Sequence, residues 1–188
     1  METVQETIQV AGGDPVELLV RYTRHGPIIT EVLGSLDHLE GSTSVELPGM
    51  YAIALSWTAL EPTRTFPALW KMNLAQNWEE FREATKEFDV PSQNLVYADV
   101  DGNIGYQMPG NIPIRANGDG MVPVPGWTGE YEWTGYIPFE ELPYSYNPPE
   151  GYIVTANNAV VNLDYPYLIS MYWAYGYRAE RIVDMIET

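Results

Sequence analysis

The side chains able to do chemistry in this chain are few, which narrows the reactions that they could support. No cysteine is present, so thiol nucleophiles, disulfides and cysteine-bound metals are excluded. His25 and His38 are the only histidines, and Arg24-His25-Gly26 looks like a general-base signature. No Ser-His-Asp arrangement is supported around it.

Aspartates and paired amides are the remaining candidates. Asp99, Asp101 and Asp119 could form a carboxylate pair or bind a metal. However, Asp101-Gly102 between two apolar segments is a strong hairpin-turn signal, and we favour turn chemistry there. Asn157-Asn158 follows the apolar segment 152–156. Neutral amides can donate hydrogen bonds in catalytic sites, but adjacent asparagines are typical of a strand-end turn, which is the better interpretation of these two residues alone.

The composition indicates a folded, strongly acidic protein. The formal net charge is −17, which repels phosphate backbones, and no nucleic-acid partner is expected. No apolar run approaches a membrane span and no signal peptide is visible, so no membrane partner is expected and the compartment stays open. The 14 tyrosines and 6 tryptophans suit half-buried surfaces and pocket walls.

Strands and helices must position these residues, and their periodicity predicts both. Alternating and apolar segments predict strands at 3–10, 16–24, 28–32, 51–58, 95–100, 104–108 and 152–156. Apolar residues at spacings of three and four predict helices over 67–88, from 165 to 175 and again after Gly176. A polar loop is expected at 34–50, and irregular but ordered chain at 109–151. At 188 residues we expect one domain, or a large piece of one, of the α+β class.

Six blocks of sequence carry a resemblance to a known family. They are RHGPII (24–29), ALSWTALEPT (54–63), NLVYADVDGNIGYQMPGNIPIR (94–115), PVPGWTGEYEWTGYIPFEELP (123–143), NPPEGYIVTANN (147–158) and YPY…YRAERI (165–182). In this order they resemble the penicillin acylase (penicillin amidase) family of N-terminal nucleophile hydrolases. The resemblance implies a mixed β-sheet with flanking helices, a partial αββα core. Residues 1–188 would be a single domain or an internal fragment of the β-chain.

The resemblance also implies a mechanism of amide hydrolysis. An N-terminal Ser attacks the amide carbonyl, its own α-amine acts as base, and an oxyanion hole holds the tetrahedral intermediate. Asn157 matches the family's oxyanion donor. With the resemblance included, this role is favoured over the strand-end turn. Arg178 matches an arginine that steadies that asparagine and the free α-amine. The alternative is a surface ion pair from Arg178 or Arg181 to Glu180 or Asp184.

Further residues match the family's binding positions less specifically. Gln93 and Leu69 fall where the family lines its acyl pocket, and plain helix core is a slightly better interpretation of Leu69. Gly120 falls where a backbone carbonyl would bind a structural Ca²⁺ in the complete enzyme. One carbonyl is not a calcium site, so a solvated loop is the better interpretation, and no cofactor is required.

The family's nucleophilic Ser belongs to sequence before Met1, so we expect the isolated chain to be inactive. Its expected partners are the remaining acylase α- and β-chains and a small N-acyl substrate, a penicillin or a related compound. Self-association through exposed edges is also expected, and the family implies a periplasmic or secreted location. The alternative from another functional class is a non-catalytic β-rich module that binds a sugar or peptide on its aromatic residues.

Overall fold

The computed structural model describes residues 1–30 and 52–188. Within them the chain forms three small antiparallel sheets and three α-helices, which confirms the α+β class. The loop predicted at 34–50 and His38 lie outside the described residues. None of the described helices has the length and apolar character that crossing a membrane requires.

The chain divides into two compact units. The first unit contains the described residues of Met1–Leu60 together with Gly120–Glu132. The second unit contains Glu61–Asp119 and Trp133–Thr188. Asn157 and Arg178 both belong to the second unit, and so do Leu69 and Gln93.

The first unit is built around the predicted N-terminal hairpin. Strand β1 (Glu2–Ile8) pairs with β2 (Val16–Thr23) in antiparallel register, and the two-residue β3 (Gly26–Pro27) follows. The predicted strands at 28–32 and 51–58 are reduced, within the described residues, to a single bridge between Ile28 and Ala54. The ladder stops because the Ile53 N–H donates to the Thr30 hydroxyl, at 2.7 Å, and not to a backbone carbonyl.

The helix predicted over 67–88 is two helices, α1 (Thr65–Leu74) and α2 (Trp78–Thr85). Asn77 adopts an extended conformation between them, and its Oδ1 accepts the Glu80 N–H at 2.9 Å. The Glu80 carboxylate in turn accepts the Gln76 N–H at 2.9 Å. This reciprocal cap satisfies backbone donors that a new helix start would otherwise leave free, so a second helix begins where the apolar spacing predicted continuation.

The second unit carries the other two sheets. Strands β4 (Leu95–Ala98), β5 (Ile104–Gln107) and β8 (Tyr144–Tyr146) form one sheet in the order β4-β5-β8. Strands β6 (Pro113–Arg115) and β7 (Trp133–Tyr136) form the other. The predicted 95–108 hairpin is therefore confirmed, with a connection of five residues, Asp99 to Asn103.

The Asp99 carboxylate organises that connection, as turn chemistry predicts. It accepts hydrogen bonds from the backbone N–H groups of Asp101 and Asn103, from the Asn103 amide and from the Tyr97 hydroxyl. The bond from the Asn103 side chain is the largest of the contributions that lower the pKa of Asp99. Because these bonds make the loop longer than two residues, β4 ends at Ala98.

A buried apolar cluster anchors the segment that leads to the paired amides. Its buried members are Tyr106, Met108, Ile112, Ile137 and Leu142. Ile153, Val160 and Ile169 pack against it, and they flank Asn157 on both sides along the chain. The core therefore fixes the two ends of the segment that carries the candidate site.

Two predicted elements next to the site are irregular in the structure. Residues 152–156 join no strand, because the Ala156 N–H and C=O bond to the side chains of Asn158 and Arg178. The region from Tyr165 to Tyr175 is not helical, and the Ser170 hydroxyl accepts the Tyr172 N–H at 3.0 Å. Helix α3 (Tyr177–Glu187) begins after Gly176, as predicted.

Candidate active site

Asn157 occupies an unusual backbone conformation at the surface of the second unit. Its φ is +62°, in the left-handed region that residues other than glycine rarely adopt. Its carbonyl accepts the Ala174 N–H at 2.7 Å, which joins it to the irregular chain before α3. A non-glycine residue is retained in this conformation only where its surroundings enforce it, and such residues cluster at functional sites.

Arg178 fixes the orientation of the Asn157 side chain. Its Nη2 donates to Asn157 Oδ1 at 2.9 Å and also to the Ala156 carbonyl. A guanidinium can only donate hydrogen bonds, so the amide must turn its oxygen toward Arg178. The Asn157 NH₂ group then faces away from Arg178, and it makes no hydrogen bond within residues 1–30 and 52–188.

The pair can stabilise negative charge but cannot attack a carbonyl. A neutral amide donor beside a permanent cation suits the oxyanion of a tetrahedral intermediate. Neither side chain is a nucleophile or a base at neutral pH. The alternative ion pair from Arg178 to Glu180 or Asp184 is not formed among the described residues.

Exposed aromatic side chains lie beside this pair along the chain. Tyr175 and Tyr177 stack with ring centroids 5.6 Å apart, and both are exposed. Tyr172 is 78% exposed, and Met171 next to it is also exposed. The polar pair therefore sits within a stretch whose large apolar groups remain uncovered in this chain.

Leu69 and Gln93, the two predicted acyl-pocket residues, belong to the same unit as Asn157. Leu69 lies on α1 with 43% of its surface exposed, so it is not core within the described chain. Gln93 is exposed on the segment between α2 and β4. No described contact joins either residue to Asn157 or Arg178, and their place in an acyl pocket stays a prediction.

Gly120 lies in an exposed turn with φ of +81°. Among the described residues, no three histidine or carboxylate groups converge in a way that could hold a metal ion. A calcium site needs 6–8 oxygen ligands, so we assign none to these residues. A role for the Gly120 carbonyl in a larger calcium site stays a prediction.

His25 has a structural environment, in the first unit. Its Nε2 lies 3.0 and 3.1 Å from the two carboxylate oxygens of Glu132, and Arg24 contacts the same carboxylate at 2.8 Å. Hydrogen bonds from Arg24 first, and from His25 second, lower the pKa of Glu132. These contacts tie the end of β2 to residue 132 and place no serine beside the imidazole in the described structure.

A groove of about 480 Å³ lies between α1 and α2, away from the Asn157–Arg178 pair. Its lining includes Arg64, Lys71 and Glu87. These charges pair with one another, since Glu87 accepts from Lys71 and also lies near Arg64. The groove is therefore a self-neutralised surface between two helices.

Sequence reasoning missed two groups that hold the site. The sequence signal for Asn158 is its adjacency to Asn157. The Ala174 N–H contributes through the backbone, and an alanine carries no sequence signal for that role. Both groups bond to the chain around Asn157, at 3.1 Å to Ala156 and at 2.7 Å to Asn157.

Comparison with known proteins identifies the family. The penicillin amidase family model matches residues 1–188. The chain is 36% identical to the acyl-homoserine lactone acylase QuiP of Pseudomonas fluorescens and 37% identical to the penicillin acylase 2 proenzyme of a Pseudomonas species. These alignments cover 96 and 97% of this chain but only 21 and 22% of the relatives, about a fifth of their length.

A solved structure shows the same architecture. The thermostable penicillin G acylase of Alcaligenes faecalis aligns with a TM-score of 0.74 at 33% identity. The alignment covers the whole of this chain and 31% of that protein chain. Together with the match of the family model over residues 1–188, this shows that the chain belongs to the penicillin amidase family.

Proposed function

We propose that this chain supplies the oxyanion-stabilising part of an acylase that hydrolyses linear amides. The observation that carries the proposal is the bond from Arg178 Nη2 to Asn157 Oδ1 at 2.9 Å. It leaves the Asn157 NH₂ free to donate to the oxygen of a tetrahedral intermediate. The family match over all 188 residues favours this function over the non-catalytic binding module.

The attacking group must come from elsewhere, because an amide and a guanidinium supply neither nucleophile nor base. In the proposed mechanism an N-terminal Ser attacks the substrate carbonyl, and its α-amine accepts the hydroxyl proton. Negative charge then develops on the carbonyl oxygen. Asn157 donates to that oxygen while Arg178 holds the amide in place.

The substrate class follows from the chemistry that the named relatives share. They are named as acylases of acyl-homoserine lactones and of penicillin, and both kinds of substrate contain an N-acyl amide. We therefore propose an N-acyl compound as substrate, with penicillin as one candidate. Gln93 and Leu69 remain proposed acyl-pocket residues, and Arg178 is proposed to steady the oxyanion donor.

The surrounding assembly is part of the same proposal. This chain would work with the remaining segments of a larger acylase, since the named relatives are about five times longer than this chain. No cofactor takes part in the proposed reaction, and any Ca²⁺ would be structural and held mainly by residues outside the described set. A periplasmic or secreted location is proposed from the family alone.

The test is Asn157→Ala in the complete protein that contains this chain. Hydrolysis of a phenylacetyl 4-nitroanilide and of an aliphatic acyl 4-nitroanilide reports the released amine. Loss of one oxyanion donor is expected to lower kcat by about 10²–10³-fold with little change in KM.

Asn162→Ala is the matched control, because within the described part of the chain the Asn162 side chain accepts only the Asp164 N–H of its own loop. Wild-type kcat in the Asn157 variant would refute the proposed function. The 188-residue chain alone is expected to give no turnover, and a turnover that depended on Asn157 would show that it carries its own nucleophile.

A further inference from the structure

We propose that Asn158 is a positioning residue for the oxyanion donor, a role that rests on the proposed function. The Asn158 side chain bonds to backbone groups of Ala156, just before Asn157, and of Ala159, two residues after it. Its Oδ1 accepts the Ala156 N–H at 3.1 Å, and its Nδ2 donates to the Ala159 carbonyl at 3.1 Å. One side chain thus bridges the backbone before and after the residue that carries the donor.

The bridge matters because neither a helix nor a sheet holds this segment. Residues 152–160 belong to no strand or helix. Ala156 is only 8% exposed, so its N–H needs a protein acceptor, and Asn158 Oδ1 provides one. Without that acceptor, the peptide unit between Thr155 and Ala156, one residue before Asn157, would be free to rotate toward another acceptor.

Because Asn157 has a left-handed backbone conformation, the position of its side-chain amide is sensitive to such a rotation. A φ of +62° is unfavourable for asparagine relative to ordinary backbone, although it is tolerated better than by most side chains. The conformation persists because the backbone on both sides is fixed. Three bonds fix it: Asn158 to the Ala156 N–H, Arg178 to the Ala156 carbonyl, and Ala174 to the Asn157 carbonyl.

Asn158 and Arg178 therefore have separate tasks. Arg178 sets which face of the Asn157 amide is available, through the bond to Oδ1. Asn158 sets the position of the Asn157 amide, because it fixes the backbone next to Asn157. An error in position weakens a bond that exists only in the transition state, so its effect appears in kcat and not in KM.

The experiment compares four variants of the complete protein, Asn158→Ala, Asn162→Ala, Asn157→Ala and the double variant Asn157→Ala/Asn158→Ala. Asn158→Ala is expected to lower kcat about 10- to 100-fold while KM stays within about twofold. Asn162→Ala removes the same side chain from a nearby loop and is expected to leave both constants unchanged. In the double variant, kcat is expected to match that of Asn157→Ala, because Asn158 acts through Asn157.

The outcomes separate the two claims. If Asn157→Ala lowers kcat and Asn158→Ala leaves it at the wild-type value, the positioning role is overturned and the proposed function stands. Losses that multiply in the double variant also overturn the role, because they show a general structural effect. If Asn157→Ala leaves kcat unchanged, the proposed function fails, and the positioning role fails with it.

A second variant keeps the test decisive should Asn158→Ala fail to fold. Asn158→Asp retains an oxygen acceptor of the same shape opposite the Ala156 N–H, but it loses the donor to Ala159 and adds a negative charge. It is expected to fold and to keep kcat within about tenfold of wild type. A folded Asn158→Asp protein with kcat as low as that of Asn157→Ala would overturn the positioning role.

Discussion

Replacement of Arg178 gives a prediction whose size can be worked from the structure. Arg178→Ala removes the donor to Asn157 Oδ1 and the donor to the Ala156 carbonyl. An Asn157 amide without Arg178 samples two flipped orientations. This alone lowers the fraction of molecules with NH₂ toward the oxyanion by only about twofold. A shift of the donor by about 1 Å can cost up to about 10²-fold, and total loss of a donor costs about 10²–10³-fold.

Those bounds predict that Arg178→Ala lowers kcat about 10- to 100-fold, which corresponds to about 1.4–2.7 kcal/mol of activation free energy. Both bonds come from Nη2 of a rigid planar guanidinium. Arg178→Lys keeps the charge but carries it on a flexible stem, so an intermediate kcat is expected. The assay is hydrolysis of the acyl 4-nitroanilides by the complete protein, with kcat and KM determined separately.

Arg181→Ala is the matched control, because it removes the same charge from an exposed position on α3. Neither Asn157 nor Ala156 has a hydrogen bond to Arg181 in the described structure. Equal kcat values for Arg178→Ala and Arg181→Ala would refute the reasoning, since a general loss of positive charge would then account for both.

Three predictions concern the stability of the chain, measured by urea unfolding. Asn77→Ala removes the N-cap of α2 and is expected to cost about 1 kcal/mol; an unchanged midpoint would contradict the cap. Gly105→Ala places a methyl group 2.4 Å from the Trp78 ring and is expected to cost about 1–3 kcal/mol; a cost below about 0.5 kcal/mol would contradict the close packing. Burial raises the pKa of Tyr106 to about 12, so its contribution to stability is full below its ordinary pKa of 10.0 and is lost as pH rises through 12. Tyr106→Phe removes the bond to Asn94 and should cost about 1 kcal/mol of unfolding free energy at pH 9. Above pH 10 the variant should lose less stability than wild type, and parallel pH profiles of the two proteins would contradict the raised pKa of Tyr106.

The hairpins were predictable because local sequence determines them. Alternating residues on either side of Gly12 and of Asp101-Gly102 specify two antiparallel pairs, and both form. The exact connection at 99–103 was not predictable from the Asp-Gly signal. It depends on Asp99, whose carboxylate bonds to several groups at once and lengthens the loop.

The helical predictions failed where side chains compete with backbone periodicity. Apolar spacing continues through 75–77, yet the cap formed by Asn77 and Glu80 begins a new helix there. Around Tyr165 to Tyr175 the same spacing produces no helix, because local bonds to Ser170 and the contact of Ala174 with Asn157 take up backbone groups. The spacing of apolar residues does not reveal side-chain hydrogen bonds that compete with the helical backbone bonds.

The central pair of the site could be anticipated only through the family resemblance. Composition and spacing alone favour a strand-end turn for the Asn157-Asn158 pair. The structure adds the bond from Arg178, the left-handed φ of Asn157 and the bridge made by Asn158. These arise from residues separated along the chain and from backbone groups, which a one-dimensional pattern cannot report.

Asn157→Asp in the complete protein tests the central claim most directly. A carboxylate has the shape of the amide and can still accept from Arg178, but it cannot donate to an oxyanion. We expect a loss in kcat of at least about 10²–10³-fold, with KM and the thermal midpoint close to those of wild type. An Asn157→Asp protein that hydrolysed N-acyl amides at the wild-type kcat would contradict the claim that the Asn157 NH₂ group is the oxyanion donor.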